Sequence, residues 1–156
     1  MKTFIGIDPG LSGGIAFLQG PHLTLYDMPV VLSGKRRIFD VEAIRKLLQP
    51  AAEAKDCHVF VEELIPFKGS KLSCFSLGYG LGILHATISA LGIPMTRELP
   101  QRWKKEFQLI GKGKDASRMR AKELFPEHAD VFRMKKGEGQ AEAALMAERL
   151  RRMLGQ

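Results

Sequence analysis

The sequence predicts an α/β fold: a mixed five-stranded sheet, flanked by helices, in which a three-strand antiparallel meander is followed by crossover strands. Two observations carry this. The chain up to Asp27 holds three short apolar runs separated by tight turn signals, the pattern of a meander. From Asp40 onward, strand-like runs alternate with stretches of helical periodicity, the pattern of crossover units. A chain of 156 residues fits one domain, 1–156, and can bury a real core. No internal repeat, low-complexity segment or linker divides it.

Residues 3–8 read as a buried strand that ends on Asp8. Leu11-Ser-Gly-Gly14 is a turn, residues 14–18 a second strand, Gln19-Gly-Pro21 another turn and residues 23–27 a third strand. Residues 28–37 are expected to be a loop ending in the basic run Lys35-Arg36-Arg37. Asp40 is placed as an N-cap, and Val41, Ile44, Leu47 and Leu48 have helical spacing until Pro50, where a helix is expected to stop. Cys57–Val61 is a buried strand that also ends on acid, Glu62-Glu63. Residues 72–91 are apolar on most sides and predict a buried helix whose glycines, Gly78, Gly80 and Gly82, allow close packing; Gly92 ends it. Ile93–Glu98 is a short strand, Pro100 opens a helical turn carrying Trp103, and Asp115 caps a helix running to Phe125. Ala141, Ala144, Leu145, Ala147, Leu150 and Leu154 predict a last amphipathic helix that returns to the sheet.

The formal charge is +7 and the pI about 9.6, which favours a polyanionic partner, nucleic acid being the commonest. The cations gather at 35–37, between Arg102 and Arg120, and at Arg149, Arg151 and Arg152. Cys57 and Cys74 lack the spacing of a zinc site. The chain opens directly on a strand pattern and holds no uninterrupted apolar run of ~18–20 residues, so an intracellular protein without a membrane span is expected.

Acids stand where an open α/β sheet places its active site, at strand ends or on a facing helix. They are Asp8, the Glu62-Glu63 pair, and Glu138 with Glu142. The last two are four residues apart and share a helical face, where like charges repel unless a cation offsets them. Oxygen ligands without matched His or Cys suit a hard cation such as Mg²⁺ or Mn²⁺. Two such ions can activate water and stabilise the leaving oxygen in phosphodiester cleavage. Each acid also has an ordinary reading: Asp-Pro-Gly as a turn, Glu62-Glu63 as a solvated strand end, Glu138 and Glu142 as helix surface.

Phe4-Ile-Gly-Ile-Asp-Pro-Gly-Leu-Ser-Gly-Gly-Ile-Ala-Phe17, Phe60-Val-Glu62, Gly92-Ile-Pro94, Pro100-Gln-Arg-Trp-Lys104, Lys114-Asp-Ala-Ser-Arg118, Leu124-Phe-Pro126 and Gly139-Gln-Ala-Glu-Ala143 together resemble the RuvC-type Holliday junction resolvases, above all the short bacterial and phage forms. The likeness spans nearly the whole chain in order. It implies an RNase H-like fold, a homodimer, and paired symmetric nicking of four-way junctions or branched DNA with two Mg²⁺ ions per site, Mn²⁺ substituting. It implies no small-molecule cofactor, and a place at the nucleoid in the cytoplasm of a bacterial or phage-infected cell.

The family's acids fall on Asp8, Glu62, Glu142 and, where Asp is usual, Glu138. Glu138 is one methylene longer than the usual residue. The resemblance makes Lys114 the candidate catalytic lysine, with Lys112 second. Together with the basic charge it makes Ser12, Lys35, Arg36, Arg37, Phe67, Lys68, Lys71, Lys104, Lys112, Lys114 and Arg118 the candidates for DNA contact, Phe67 either stacking on an unpaired base or packing on its dimer mate. Residues 72–91 would supply the dimer interface.

Three other readings stand beside this one. A sugar-kinase or actin-type phosphotransferase also opens on an acid, glycines and a hydroxyl, but needs two such domains. A junction-binding protein with weak or no cleavage is the non-enzymatic alternative. A nuclease of the same fold acting on other branched DNA or RNA is the third.

Overall fold

A computed structural model of the chain describes residues 1–63, 70–113 and 115–155. Five strands form one sheet in the order β3-β2-β1-β6-β7, and β4 and β5 form a separate hairpin. The strands are β1 (Thr3–Asp8), β2 (Gly14–Gln19), β3 (His22–Asp27), β4 (Val30–Ser33), β5 (Arg36–Phe39), β6 (Cys57–Glu62) and β7 (Met95–Glu98). The helices are α1 (Val41–Ala54), α2 (Lys71–Ala90), α3 (Pro100–Glu106), α4 (Ala116–Leu124), α5 (Ala129–Arg133) and α6 (Glu138–Met153). The meander β1-β2-β3 is antiparallel, and β6 and β7 join β1 in parallel.

Alternation along the strands divides the core in two. Phe4 and Phe60 point to one face, where α6 lies with Trp103, Phe107 and Phe132. Ile5, Ile7, Val59 and Val61 point to the other, under Ile44 and Leu48 of α1 and Leu84 and Ile88 of α2. On the first face α6 comes unusually close to the sheet. A Cβ on Gly6 would overlap the Ala143 carbonyl, and one on Gly14 would lie 2.9 Å from the backbone of Gln140. Gly13 and Gly139 make a backbone bridge between the β1–β2 loop and the start of α6. Small residues on both sides of the contact let the helix seat there.

Several elements differ from what the sequence predicts. Residues 28–37 are not simply a loop: β4 and β5 pair across Gly34-Lys35, with Gly34 at φ +62°, the positive φ that glycine supplies at the first position of a two-residue turn. Asp40 does cap α1, accepting a hydrogen bond from the Ala43 N–H at 2.9 Å. The helix nevertheless passes through Pro50 to Ala54. Its buried stripe, Ile44 and Leu48 with Leu47, Ala51 and Ala52 beside them, outweighs the ~3 kcal/mol that an interior proline costs.

Helix α2 is not buried on most sides. Leu72, Phe75 and Tyr79 are exposed, and Gly78 and Gly82 face open space, so only Gly80, against the Phe39 ring, packs closely. By length and mean hydropathy, 1.2, α2 could cross a membrane, because scattered serines and glycines break its apolar runs without making it polar. Asp115 makes no capping hydrogen bond; its carboxylate pairs with Arg118 instead.

Candidate active site

Strand register brings the first two acids together. Ile7 of β1 sits beside Val61 of β6, so Asp8 and Glu62 follow at the ends of neighbouring strands about 4.8 Å apart. Asp8 follows Phe4 and Gly6 in the alternation, and Glu62 follows Phe60, so both point to the α6 face. The close seating of α6 on Gly6 then delivers Glu142 to the same place. Burial, then the Glu142 and Glu62 carboxylates, push the Asp8 carboxyl up to about 7. Glu62 is itself pushed up, chiefly by burial, with Glu142 adding to the rise and the Trp103 hydrogen bond and Lys104 opposing it. Crowded carboxylates of this kind mark functional sites.

Helix α3 and helix α4 supply what faces these acids. The Trp103 indole N–H donates to Glu62 Oε2 at 2.8 Å. Lys104 Nζ lies 3.3 Å from Glu142 Oε1, and the Ser117 hydroxyl donates to the same oxygen at 3.0 Å. Trp103 and Ser117 carry roles that sequence reading missed. The buried tryptophan beside the lysine, in Trp103-Lys104, was the available signal for the first; a serine in the first turn of a helix gave none for the second.

The donor set is all carboxylate oxygen, which fits a hard divalent cation, and Asp8 is raised first by burial and then by its acidic neighbours, a setting in which a cation would favour its charged form. Among the described residues no three His, Cys, Asp or Glu side chains are closed into a ligand set. Glu62 and Glu142 each have an oxygen turned to a protein donor. Glu138 shares a cleft with Glu142, Lys104 and Ser117, but is not among the charges acting on Asp8 or Glu62. Glu63 is turned to Arg97 at 3.6 Å.

The other candidate residues divide. Arg37 reaches back from the hairpin to the Asp8 loop, donating to the Leu11 carbonyl at 2.6 Å and to Ser12 Oγ at 3.4 Å. Lys35, Arg36, Lys71 and Lys112 are exposed. Arg118 is not available to DNA: it is buried, paired with Asp115, and donates to the Phe132 and Arg133 carbonyls. The turn through Gly13 and Gly14 is closely packed: a Cβ on Gly13 would overlap the Asp8 carbonyl, and one on Gly14 would meet the backbone of Gly139 and Gln140. Arg149, Arg151 and Arg152 are consumed by Glu98, Glu106 and Glu148. Lys114, Phe67 and Lys68 lie outside the described residues.

The mixed sheet with acids at the ends of β1 and β6 and on α6 defines the RNase H-like fold, in its RuvC form. The chain superposes on Thermus thermophilus RuvC in complex with a Holliday junction substrate at TM-score 0.62 and 17% identity, covering 99% of this chain and 97% of that one. A second Thermus thermophilus RuvC structure gives 0.60 and 18%, covering 98% and 96%. Over 124 residues, 74% of its length, the chain is 33% identical to the chloroplastic Holliday junction resolvase MOC1 of Chlamydomonas reinhardtii, and it spans 14% of that protein. No protein-family model matches it.

Proposed function

We propose that the protein is a structure-selective endodeoxyribonuclease that resolves four-way DNA junctions by paired symmetric nicks, leaving 5′-phosphate and 3′-hydroxyl ends. The observation that carries this is the convergence of Asp8, Glu62 and Glu142 from β1, β6 and α6, with Asp8 driven up to about 7, on the fold of RuvC. Magnesium, or manganese in its place, two ions per site, would supply activation of the attacking water and stabilisation of the leaving oxygen.

Asp8, Glu62 and Glu142 would hold the ions, with Glu138 at the mouth of the same cleft. Lys104, 3.3 Å from Glu142, would turn its ammonium to a phosphate oxygen that gains charge in the transition state. Lys114 is retained as a second candidate for the same role. Lys35, Arg36, Arg37, Lys71 and Lys112 would hold the DNA backbone, which carries affinity but no sequence choice. The cytoplasm of a bacterial or phage-infected cell is the proposed setting.

A second copy of the chain would cover the outer face of α2, where Phe75 and Tyr79 stack with ring centres 6.2 Å apart and stand exposed. Sedimentation should show a dimer that Phe75→Asp with Tyr79→Asp converts to a monomer; an unchanged dimer removes α2 from the interface.

The activity test offers a labelled four-way junction, a fork and a plain duplex with Mg²⁺ or Mn²⁺. Symmetric nicks confined to the junction are expected. Asp8→Asn should lower cleavage by at least ~10³-fold, the scale of a lost charge-stabilising group, while junction binding persists. Tight binding by the wild type without nicks in either metal would favour the non-enzymatic reading.

A further inference from the structure

We propose that Trp103 is a positioning residue whose indole N–H sets the plane of the Glu62 carboxylate for divalent-cation binding. This rests on the function proposed above. The terminal torsion of a glutamate is broad and two-fold, so a carboxylate at a strand end has no preferred plane of its own. Trp103 is fully buried, and its ring is fixed by packing on the α6 side of the core. A buried indole N–H is a donor only and needs an acceptor. Glu62 Oε2, at 2.8 Å, is that acceptor, so the ring orients the carboxylate and leaves Oε1 for another partner. The next residue, Lys104, lies 5.1 Å from the same ring and 3.3 Å from Glu142. One turn of α3 thus holds acids from β6 and from α6 together.

Trp103 is the sole tryptophan, which makes the test direct. Mn²⁺ binding is measured on the metal-stripped full chain by electron paramagnetic resonance of the free ion. Trp103→Phe should weaken binding at least ~10-fold, the scale for loss of a group that orients a metal ligand. Phe107→Leu, which loosens a second buried aromatic of the same core, should leave the affinity unchanged. Equal affinity of Trp103→Phe and wild type overturns the inference, and so does an equal loss in Phe107→Leu.

Should Trp103→Phe not fold, the wild type decides. Its tryptophan emission is expected to be quenched by Mn²⁺ over the same range as binding, and emission unmoved at saturation overturns the inference. A wild type that binds no Mn²⁺ at all overturns the proposed function with it. Binding that Trp103→Phe leaves intact overturns the inference alone.

Discussion

Two groups of acids gather against helix α6, one near each end, and the fold neutralises them differently. Near its start, Asp8, Glu62 and Glu142 face one ammonium among the described residues, Lys104. Near its end, Glu98, Glu106 and Glu148 are shared among Arg149, Arg151 and Arg152. Glu148 is correspondingly held below the usual carboxylate range, the hydrogen bonds from Arg151 and Arg152 outweighing a burial effect that acts the other way. Asp8 is held far above it. Each group draws its three acids from three different elements. What separates them is whether arginines close the charge, and a site that is to bind a cation must leave it open.

The pH dependence of stability puts this difference to its strongest test. Asp8 keeps its proton to about pH 7 when folded and loses it near 3.8 when unfolded. Its contribution is therefore fully present below 3.8 and is lost as pH rises through about 7. Metal-stripped wild type should melt lower than Asp8→Asn at pH 8, by roughly 2–4 kcal/mol or on the order of 10 °C, with the two equal near pH 4. Magnesium should close the gap for the wild type. Calorimetry in EDTA that shows no gap at pH 8 would place Asp8 in a compensated environment.

Glu148 has the opposite sign. Its folded-state value is depressed, so its contribution is present above the ordinary value near 4.5 and is lost as pH falls through the folded one. Glu148→Gln should melt lower than wild type at pH 7 by roughly 1–3 kcal/mol, since Arg151 and Arg152 lose their shared carboxylate. The gap should shrink in acid, and junction cleavage should not change. A loss of cleavage in this variant would join the two ends of α6 into one functional unit.

The sheet, its meander and the end of the strand at Asp8 were legible because period-2 alternation and turn residues are local signals. The convergence of Asp8 with Glu62 was legible as a pattern of strand ends. The β4–β5 hairpin was hidden by Lys35-Arg36-Arg37, which read as a charged loop although Val30–Leu32 and Ile38-Phe39 flank a glycine turn. Pro50 was read as a stop because the packing that overrides it comes from other elements, β1, β6 and α2, which the local pattern does not show. Ser12-Gly13-Gly14 read only as a turn, because the α6 backbone packed against it, at Gly139 and Gln140, lies far along the chain. The partners of Arg118 and Arg149 were not legible for the same reason: a cation's sequence neighbours do not reveal which carboxylate or carbonyl the fold will bring to it.

That last point yields the smallest expected effect and the one that best separates exposed from consumed cations. Arg36 stands exposed on the hairpin, next in the chain to Arg37, which reaches the Asp8 loop. Arg118 is buried with its guanidinium on Asp115 and two carbonyls. Arg36→Ala should weaken junction binding a few-fold and reduce the salt slope of log K by about 1, the signature of one lost phosphate contact, with the melting temperature unmoved. Arg118→Ala should leave the salt slope intact and lower the melting temperature, because a buried network loses its centre. The two slopes, measured across the same salt series, decide between them. A change of slope in Arg118→Ala would mean that the α4 arginine leaves its internal partners for DNA. A flat response in Arg36→Ala would mean that the hairpin points away from the duplex arms.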